Sequence, residues 1–462
     1  MTTLDPAAAG HPAVTAAGRF KAVPTRTPPP APAPGAAASP GAAGPAGLVR
    51  PGAVISTGRP WTTGRHRTGT GPPGRTRLTG VDAARGLAVL GMIVVHVATA
   101  DASAGLWQLV NGRAAVLFGL LGGVSLALLV APVLGSDDSG VRSRLRRRVA
   151  VRALLLVGLG LVLAAVSTGP MVILVVYGVE FLLVLPLLFA RPVVLAMIAA
   201  VWAVAGPLLS FALRSVLPGP RNDAGQLLLG NVMHASDLTS AAGLVRALDT
   251  VLLSGAYPVL TWMPFLLLGM AIGRLDLRAC AGRLLAGGLA GATIGYGGSW
   301  LAMDVLGGRQ ALLRAVEPMS AVLGMPPAGV LEIVGAGSYG TVPTTTPTWL
   351  LTAIPHSGSP FDVVGASGIA VAVLALCLLA ARALGGLLEP LAATGALALT
   401  LYTGHIVALA LVGDTPQTTP WATTAAFCAV AVLLATGWRG LVGRGPLESL
   451  VHSVSTRAAG AR

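Results

Sequence analysis

Arg77-Leu-Thr-Gly-Val-Asp82-Ala-Ala-Arg85-Gly-Leu-Ala-Val-Leu-Gly-Met92-Ile-Val-Val-His96-Val-Ala-Thr99 is the stretch on which the reading of this chain turns. Before it lies a tail with no sustained apolar run; after it, one apolar segment follows another. The stretch opens with an aspartate and an arginine, runs apolar, then meets a histidine. At about 100° per residue, Asp82, Arg85 and His96 fall on one narrow face of a helix. Three ionisable groups on one side of a membrane-length helix need protein partners or a wet cavity, because lipid strands them. This helix reads as the wall of a site.

Working outward, composition agrees. The 462 residues are 54% apolar and 10% charged, with mean hydropathy +0.77. Soluble domains carry about a quarter charged residues, so the expected class is all-α, a polytopic membrane bundle. The net charge of +14 invites a nucleic-acid partner. The arginines, however, sit in gaps between apolar runs and not on one basic patch, which excludes nucleic acid and points to membrane lipid. Cys280, Cys377 and Cys428 have no metal-ligand spacing, and two of them lie inside apolar runs. Neither a disulfide framework nor a metal site is expected.

Residues 1–78, rich in Ala, Pro, Gly and Thr, bury too little apolar surface to offset their ordering entropy; a disordered cytoplasmic tail is expected. No early apolar core precedes a small-residue cleavage site, so the first span should insert as an uncleaved anchor. A membrane domain over 79–438 follows, with about ten spans of about 17–25 residues. They lie near 82–101, 114–134, 149–168, 170–190, 192–213, 253–273, 283–304, 364–382, 388–412 and 419–437. Residues 439–462 are read as a C-terminal tail. The arginines from Arg142 to Arg148, Arg191, Arg274 to Arg283, Arg382, Arg439 and Arg444 occupy alternate gaps, so both termini are expected in the cytoplasm. The apolar run 319–334 is interrupted by Pro326-Pro327 and reads as an outer or re-entrant element. Gly119 with Gly123, and Gly269 with Gly273, suit close helix crossings.

The polar residues inside the spans are the candidates for chemistry. His96 lies about 16 Å of helix rise beyond Arg85, either as a general base or as a buried hydrogen-bonded histidine. His405 follows Tyr402 by three, on the same face and at matching depth. The two histidines form one polar centre or a packing pair. Glu180 sits mid-span, where a carboxylate must be paired or protonated; it orients a histidine, answers an arginine or belongs to a proton path. At the inner mouth, Asp82 and Arg85 form a local ion pair or, with Arg147 in the basic run, meet a phosphorylated cytosolic ligand. Such a run is also a topology signal touching anionic lipid. On the outer side stand Asp101, Arg113, His234, Asp237, Trp349, His356 and Asp362. Arg113 opens a span against the helix dipole and must answer something. Tyr402 and Arg113 are the donor candidates for an oxyanion. No P-loop, G-x-S-x-G, H-E-x-x-H or dinucleotide fingerprint occurs.

Gly80-Val-Asp82-Ala-Ala-Arg85-Gly86 through His96 resembles the start of the heparan-α-glucosaminide N-acetyltransferase catalytic family, and Asn111-Gly-Arg113 to Ser125 is similar to its second span. Tyr257-Pro258 to Trp262, Gly269 to Arg274, and Gly445-Pro446-Leu-Glu448 resemble the bacterial YeiB-like membrane family. The resemblance spans residues 77 to about 452. It implies a transmembrane acyltransferase that takes acetyl groups from cytosolic acetyl-CoA and passes them to an extracytoplasmic glycan or lipid-linked acceptor. There is one departure. The animal enzymes usually carry asparagine where His96 stands, with a histidine in the next loop, whereas here no histidine occurs between His96 and His234. His96 is more similar to the first-span histidine of bacterial membrane O-acyltransferases.

The expected catalytic residues are therefore His96, His405 and Glu180. Asp82, Arg85 and Arg147 are expected at the donor; Asp101, Arg113, Tyr402 and His356 at the acceptor. The competing class is a proton-coupled transporter or exporter with Glu180 and the histidines as relay. Oligomeric state is open, a homodimer included.

Overall fold

In this computed structural model the opening stretch folds as helix α1, Thr79–Val97, and it is buried on nearly every side. The described residues are 78–101, 105–217, 232–337, 339–413 and 418–460, and they fall in one unit, Pro73–Arg462. The expected tail, up to residue 77, lies outside them.

Short α2 (Gly105–Val110) leads into α3, Arg113–Val130, which returns alongside α1. Next come α4 (Ser139–Val166), α5 (Leu174–Leu183), α6 (Pro192–Val216), α7 (Ala241–Asp249), α8 (Val259–Ile272) and α9 (Leu277–Ala292). The segment after it holds α10 (Gly308–Ala315), α11 (Glu317–Leu323) and α12 (Pro327–Gly337). The chain closes with α13 (Pro360–Leu384), α14 (Glu389–Ala396), α15 (Ala398–Val412), α16 (Pro420–Leu441) and α17 (Pro446–Ala458).

Helices α1, α3 and α13 are mostly buried, whereas α4, α6 and α16 leave most of their apolar residues open. Val162, Val201 and Leu433 are exposed on these outer helices. In water that surface would be anomalous; in lipid it is the expected solvent-facing side of a multi-pass bundle. The close crossings are made where glycines stand. A Cβ on Gly123 would strike Leu266 O, and one on Gly269 would strike Leu120 O, so α3 and α8 touch backbone to backbone. Pro264 in α8 has no N–H for Leu260 O, and Trp202 Nε1–H of α6 donates to that carbonyl instead at 3.0 Å.

The ten expected spans resolve differently. Six helices are long and apolar enough to cross a membrane, and up to eight if each bent pair is one span. The runs at 170–190 and 253–273 form shorter helices, Leu174–Leu183 and Val259–Ile272. The 283–304 run continues α9 through π-helical turns at Thr293–Gly297 and Leu301–Val305. The 388–412 run is bent by 65° between α14 and α15. Helices α11 and α12, expected as an outer or re-entrant element, meet at 93°. They pack into a small separate core around Leu312, Val316, Val334 and Trp349. The segment read as a C-terminal tail is helical over α17, which packs on α4 and α15.

Candidate active site

The break between α14 and α15 is where the site begins. Interrupting a membrane helix strands carbonyls at one new end and amides at the other, and each set needs a partner. Arg85 Nη1 donates to Gly395 O at 3.3 Å, at the C-terminal end of α14. Glu448 of α17 takes the other end: Oε1 accepts from Leu399 N at 2.8 Å and Thr400 N at 3.0 Å, and Oε2 from Thr400 Oγ1 at 2.6 Å. A cation at the carbonyl end and an anion at the amide end both complement the helix dipoles. Gly395 lets α1 approach, since a Cβ there would run into Asp82 O.

Arg85 and Glu448 also line a cavity of about 520 Å³, together with Ser125, Arg152, Tyr177, Arg444 and His452. Arg85 pairs with Asp82 at 2.9 Å and donates from Nη2 to Ser125 Oγ at 2.9 Å. Arg152 Nε has no hydrogen-bond partner among the described residues. Burial, then the charges of Arg444 and Arg148, push the His452 imidazole below its ordinary value. Its Nδ1 accordingly accepts from Arg148 Nη2 at 3.1 Å. The cavity is thus cationic, with its carboxylate Glu448 already committed to α15.

Phe118, Tyr177 and Phe181 supply aromatic rings to the wall. Gly122 makes room for the Tyr177 hydroxyl, which a Cβ would strike. Behind Phe118 stands Tyr402, with ring centroids 6.1 Å apart, and His405 follows at 5.3 Å from Tyr402. The Tyr402 hydroxyl accepts from Ile173 N at 3.2 Å, which fixes the start of α5.

His405 and His96 meet directly, Nε2 to Nδ1 at 2.9 Å. Their rings are within 10° of parallel with centroids 5.2 Å apart, so they join edge to edge. His405 Nδ1 lies 3.2 Å from Leu401 O. A carbonyl only accepts, so Nδ1 of His405 carries the proton and, in the neutral ring, Nε2 is a lone pair. That lone pair takes the Nδ1 proton of His96, which leaves His96 Nε2 as an unprotonated nitrogen. This chain of assignments follows from hydrogen bonding alone. It has the form of a base held by an orienting group, itself held by a third.

At the far end of α1, Asp101 accepts from Trp421 Nε1 at 2.7 Å. Arg113 donates to Gln108 O at 2.8 Å and lies over the Tyr296 ring at 5.1 Å, so it answers the end of α2 and an aromatic face. Arg113, Tyr296, Asn111 and His356 line a small cavity of about 10 Å³. His356 is held at φ 63° between Tyr257, Trp262 and Tyr339. Burial pushes its imidazole down to about 4, so it is neutral near pH 7. It lies within electrostatic reach of His96.

Of the residues expected in the site, Arg85, Asp82, His96, His405 and Tyr402 gather along one line from the cationic cavity to the histidine pair. Arg147 is exposed and does not line the cavity. Arg152, one turn beyond Arg148 on the same face, stands where Arg147 was expected. Glu180 lies next to Phe181 but outside the cavity wall, and its Oε1 has no hydrogen-bond partner among the described residues. His234 is exposed and its backbone N–H is held by Asp237. Among the described residues no group of three His, Cys, Asp or Glu side chains is placed to hold a metal ion. Arg152 and His452 escaped the sequence reading. The signal for Arg152 was present, as a charge inside an apolar run.

No curated protein matches the chain. Two family patterns do. Residues 77–287, which carry Asp82, Arg85, His96, Arg113, Ser125 and Arg152, match heparan-alpha-glucosaminide N-acetyltransferase, catalytic. Residues 328–458, which carry Tyr402, His405 and Glu448, match the protein of unknown function DUF418. The site is assembled from both segments, and over 77–287 and 328–458 the chain is similar to the heparan-alpha-glucosaminide N-acetyltransferase catalytic and DUF418 families.

Proposed function

We propose that this protein takes an acetyl group from cytosolic acetyl-CoA at the cavity of Arg85, Arg152 and Arg444. It passes the group to a carbohydrate or other cell-envelope acceptor on the far side. The arginine distribution supports cytoplasmic placement of both termini. The observation that carries this reading is the fixed protonation chain from Leu401 O through His405 to His96, one aromatic layer behind the cationic cavity. Arg152 and Arg444, which make no ion pair with a carboxylate among the described residues, suit the phosphates of a nucleotide cofactor.

Chemically, an acceptor hydroxyl or amine gives its proton to His96 Nε2 as its oxygen or nitrogen attacks the thioester carbonyl. The new C–O or C–N bond forms, the C–S bond breaks, and CoA leaves as a thiolate that takes up the proton. His405 Nε2 accepts the Nδ1–H of the resulting imidazolium and so stabilises it. Holding both reactants along this line supplies much of the rate by proximity.

Acetyl-CoA binding to detergent-solubilised protein, followed by calorimetry, tests the donor side. Binding should weaken at least about tenfold in Arg85→Ala and in Arg152→Ala, the loss expected when a charge-assisted contact of about 1.5–3 kcal/mol is removed. Absence of binding by folded wild type sinks the reading. The transporter alternative draws support from the two bent helix pairs, since broken helices frame solute sites in many carriers. Proton-gradient-driven uptake into proteoliposomes without dependence on CoA would favour it.

A further inference from the structure

A second large hollow, of about 360 Å³, lies between the α–π run that follows α9 and the small outer core. Trp300, Met303, Leu312, Leu331, Trp349 and Ile354 line it. Its hydroxyls are already committed: Ser299 donates to Leu351 O and Thr352 to Trp349 O. What remains polar in its wall is chiefly the Asp304–Arg309 ion pair, at 2.7 Å, and Tyr296. A free sugar needs a ring of unsatisfied donors and acceptors, which this wall lacks. An alkyl or prenyl chain needs what the wall offers.

Two further observations point the same way. Trp300, Val305 and Leu306, on the helical run that forms one wall, are 60%, 55% and 74% exposed. In a membrane protein these side chains face hydrocarbon, so the hollow stands beside lipid and not only beside water. The same run contains two π-helical turns, a distortion that widens a helix and recurs at functional sites. Tyr296 also lines the small cavity of Arg113 and His356, so the hollow adjoins the far end of the proposed site at that side chain.

We infer that this hollow holds the apolar chain of a membrane-resident acceptor, a glycan or polyol linked to an alkyl or prenyl tail. The head group sits by Asp304 and Arg309 and extends past Tyr296 toward Arg113. The assignment rests on the acyltransferase reading for the word acceptor, but the binding site itself does not.

The test uses the full chain in lipid nanodiscs and an octyl glucoside bearing a photoreactive diazirine on its alkyl chain. Labelling should map within residues 296–354, be competed by octyl glucoside, and be unaffected by glucose. Gly335 lines the hollow and a Cβ there meets nothing within 4 Å, so Gly335→Trp fills the space without a backbone clash. That variant should lose labelling about tenfold or more, the factor that follows from about 1.4 kcal/mol of binding. Labelling spread elsewhere, equal competition by glucose, or unchanged labelling in Gly335→Trp overturns the inference. A melting transition matching that of wild type confirms that the variant is folded, and acetyl-CoA binding is measured on the same samples. Its absence in wild type sinks the donor reading, while the labelling pattern alone decides the hollow.

Discussion

Replacing His405 removes the acceptor for the His96 Nδ1 proton and leaves His96 itself in place. His96→Ala should lower acyl transfer by about 10²–10⁴-fold, the usual worth of a general base. His405→Ala should fall between that variant and wild type, because it costs orientation and stabilisation but not the base. Both should still bind acetyl-CoA. Release of CoA thiol during turnover is the readout, and wild-type turnover by His405→Ala would discard the relay. His356 makes a different prediction. In the unfolded chain its imidazole takes a proton near its ordinary 6.5, whereas the folded chain refuses it until about pH 4. Folding stability therefore declines as pH falls through that window and levels off below it. Melting curves for wild type should drop more steeply from about pH 7 to about pH 4 than those for His356→Gln; parallel curves would contradict the burial argument. The histidines were legible in the sequence because a titratable group inside an apolar run is conspicuous. Arg152 carries the same signal, but it follows so closely on the arginines up to Arg148 that it reads as part of their basic gap. Residue 147 is about 100° around the helix from 148, whereas 152 is one turn along the same face.

At the scale of elements, the sequence gives no warning that α14 and α15 are separate. The stretch from 388 to 412 reads as one apolar run, and Leu397, at the bend, is an ordinary helix former. The break is held from outside it, by Arg85 on α1 and Glu448 on α17, and local patterning does not encode partners so distant in the chain. Gly445-Pro446-Leu-Glu448 was legible as a motif, but its role as an anchor for the α15 amides was not. Glu448→Ala should destabilise the fold by about 1–3 kcal/mol, as expected for loss of charge-assisted bonds to otherwise stranded amides. Glu448→Gln, which keeps an acceptor oxygen, should recover part of that loss. Equal melting temperatures for wild type and Glu448→Ala would show that the amides find other partners.

At the scale of the whole molecule, few charges together with successive apolar runs of helical span length point to the class: such a chain satisfies its backbone in lipid as an all-helical multi-pass bundle. The number of crossings was less legible, since an apolar run of span length is equally consistent with a long helix, a bent pair or a short helix with π turns. Orientation makes the remaining prediction. With the native cysteines replaced by alanine, Ser236→Cys should react with a membrane-impermeant maleimide on intact cells. Ser453→Cys should react only after lysis. The reverse pattern would invert the positive-inside assignment.

The anchoring of α15 by Glu448 has a consequence for the order of biogenesis. His96 leaves the ribosome early and enters the membrane with the first helix, while Glu448 follows the last of the long apolar helices described here. Until residue 448 has been translated, the amides that open the helix of His405 lack their anchor. The imidazole pair is thus completed late, and a ribosome halted before α17 would hold a membrane-inserted but unfinished catalyst.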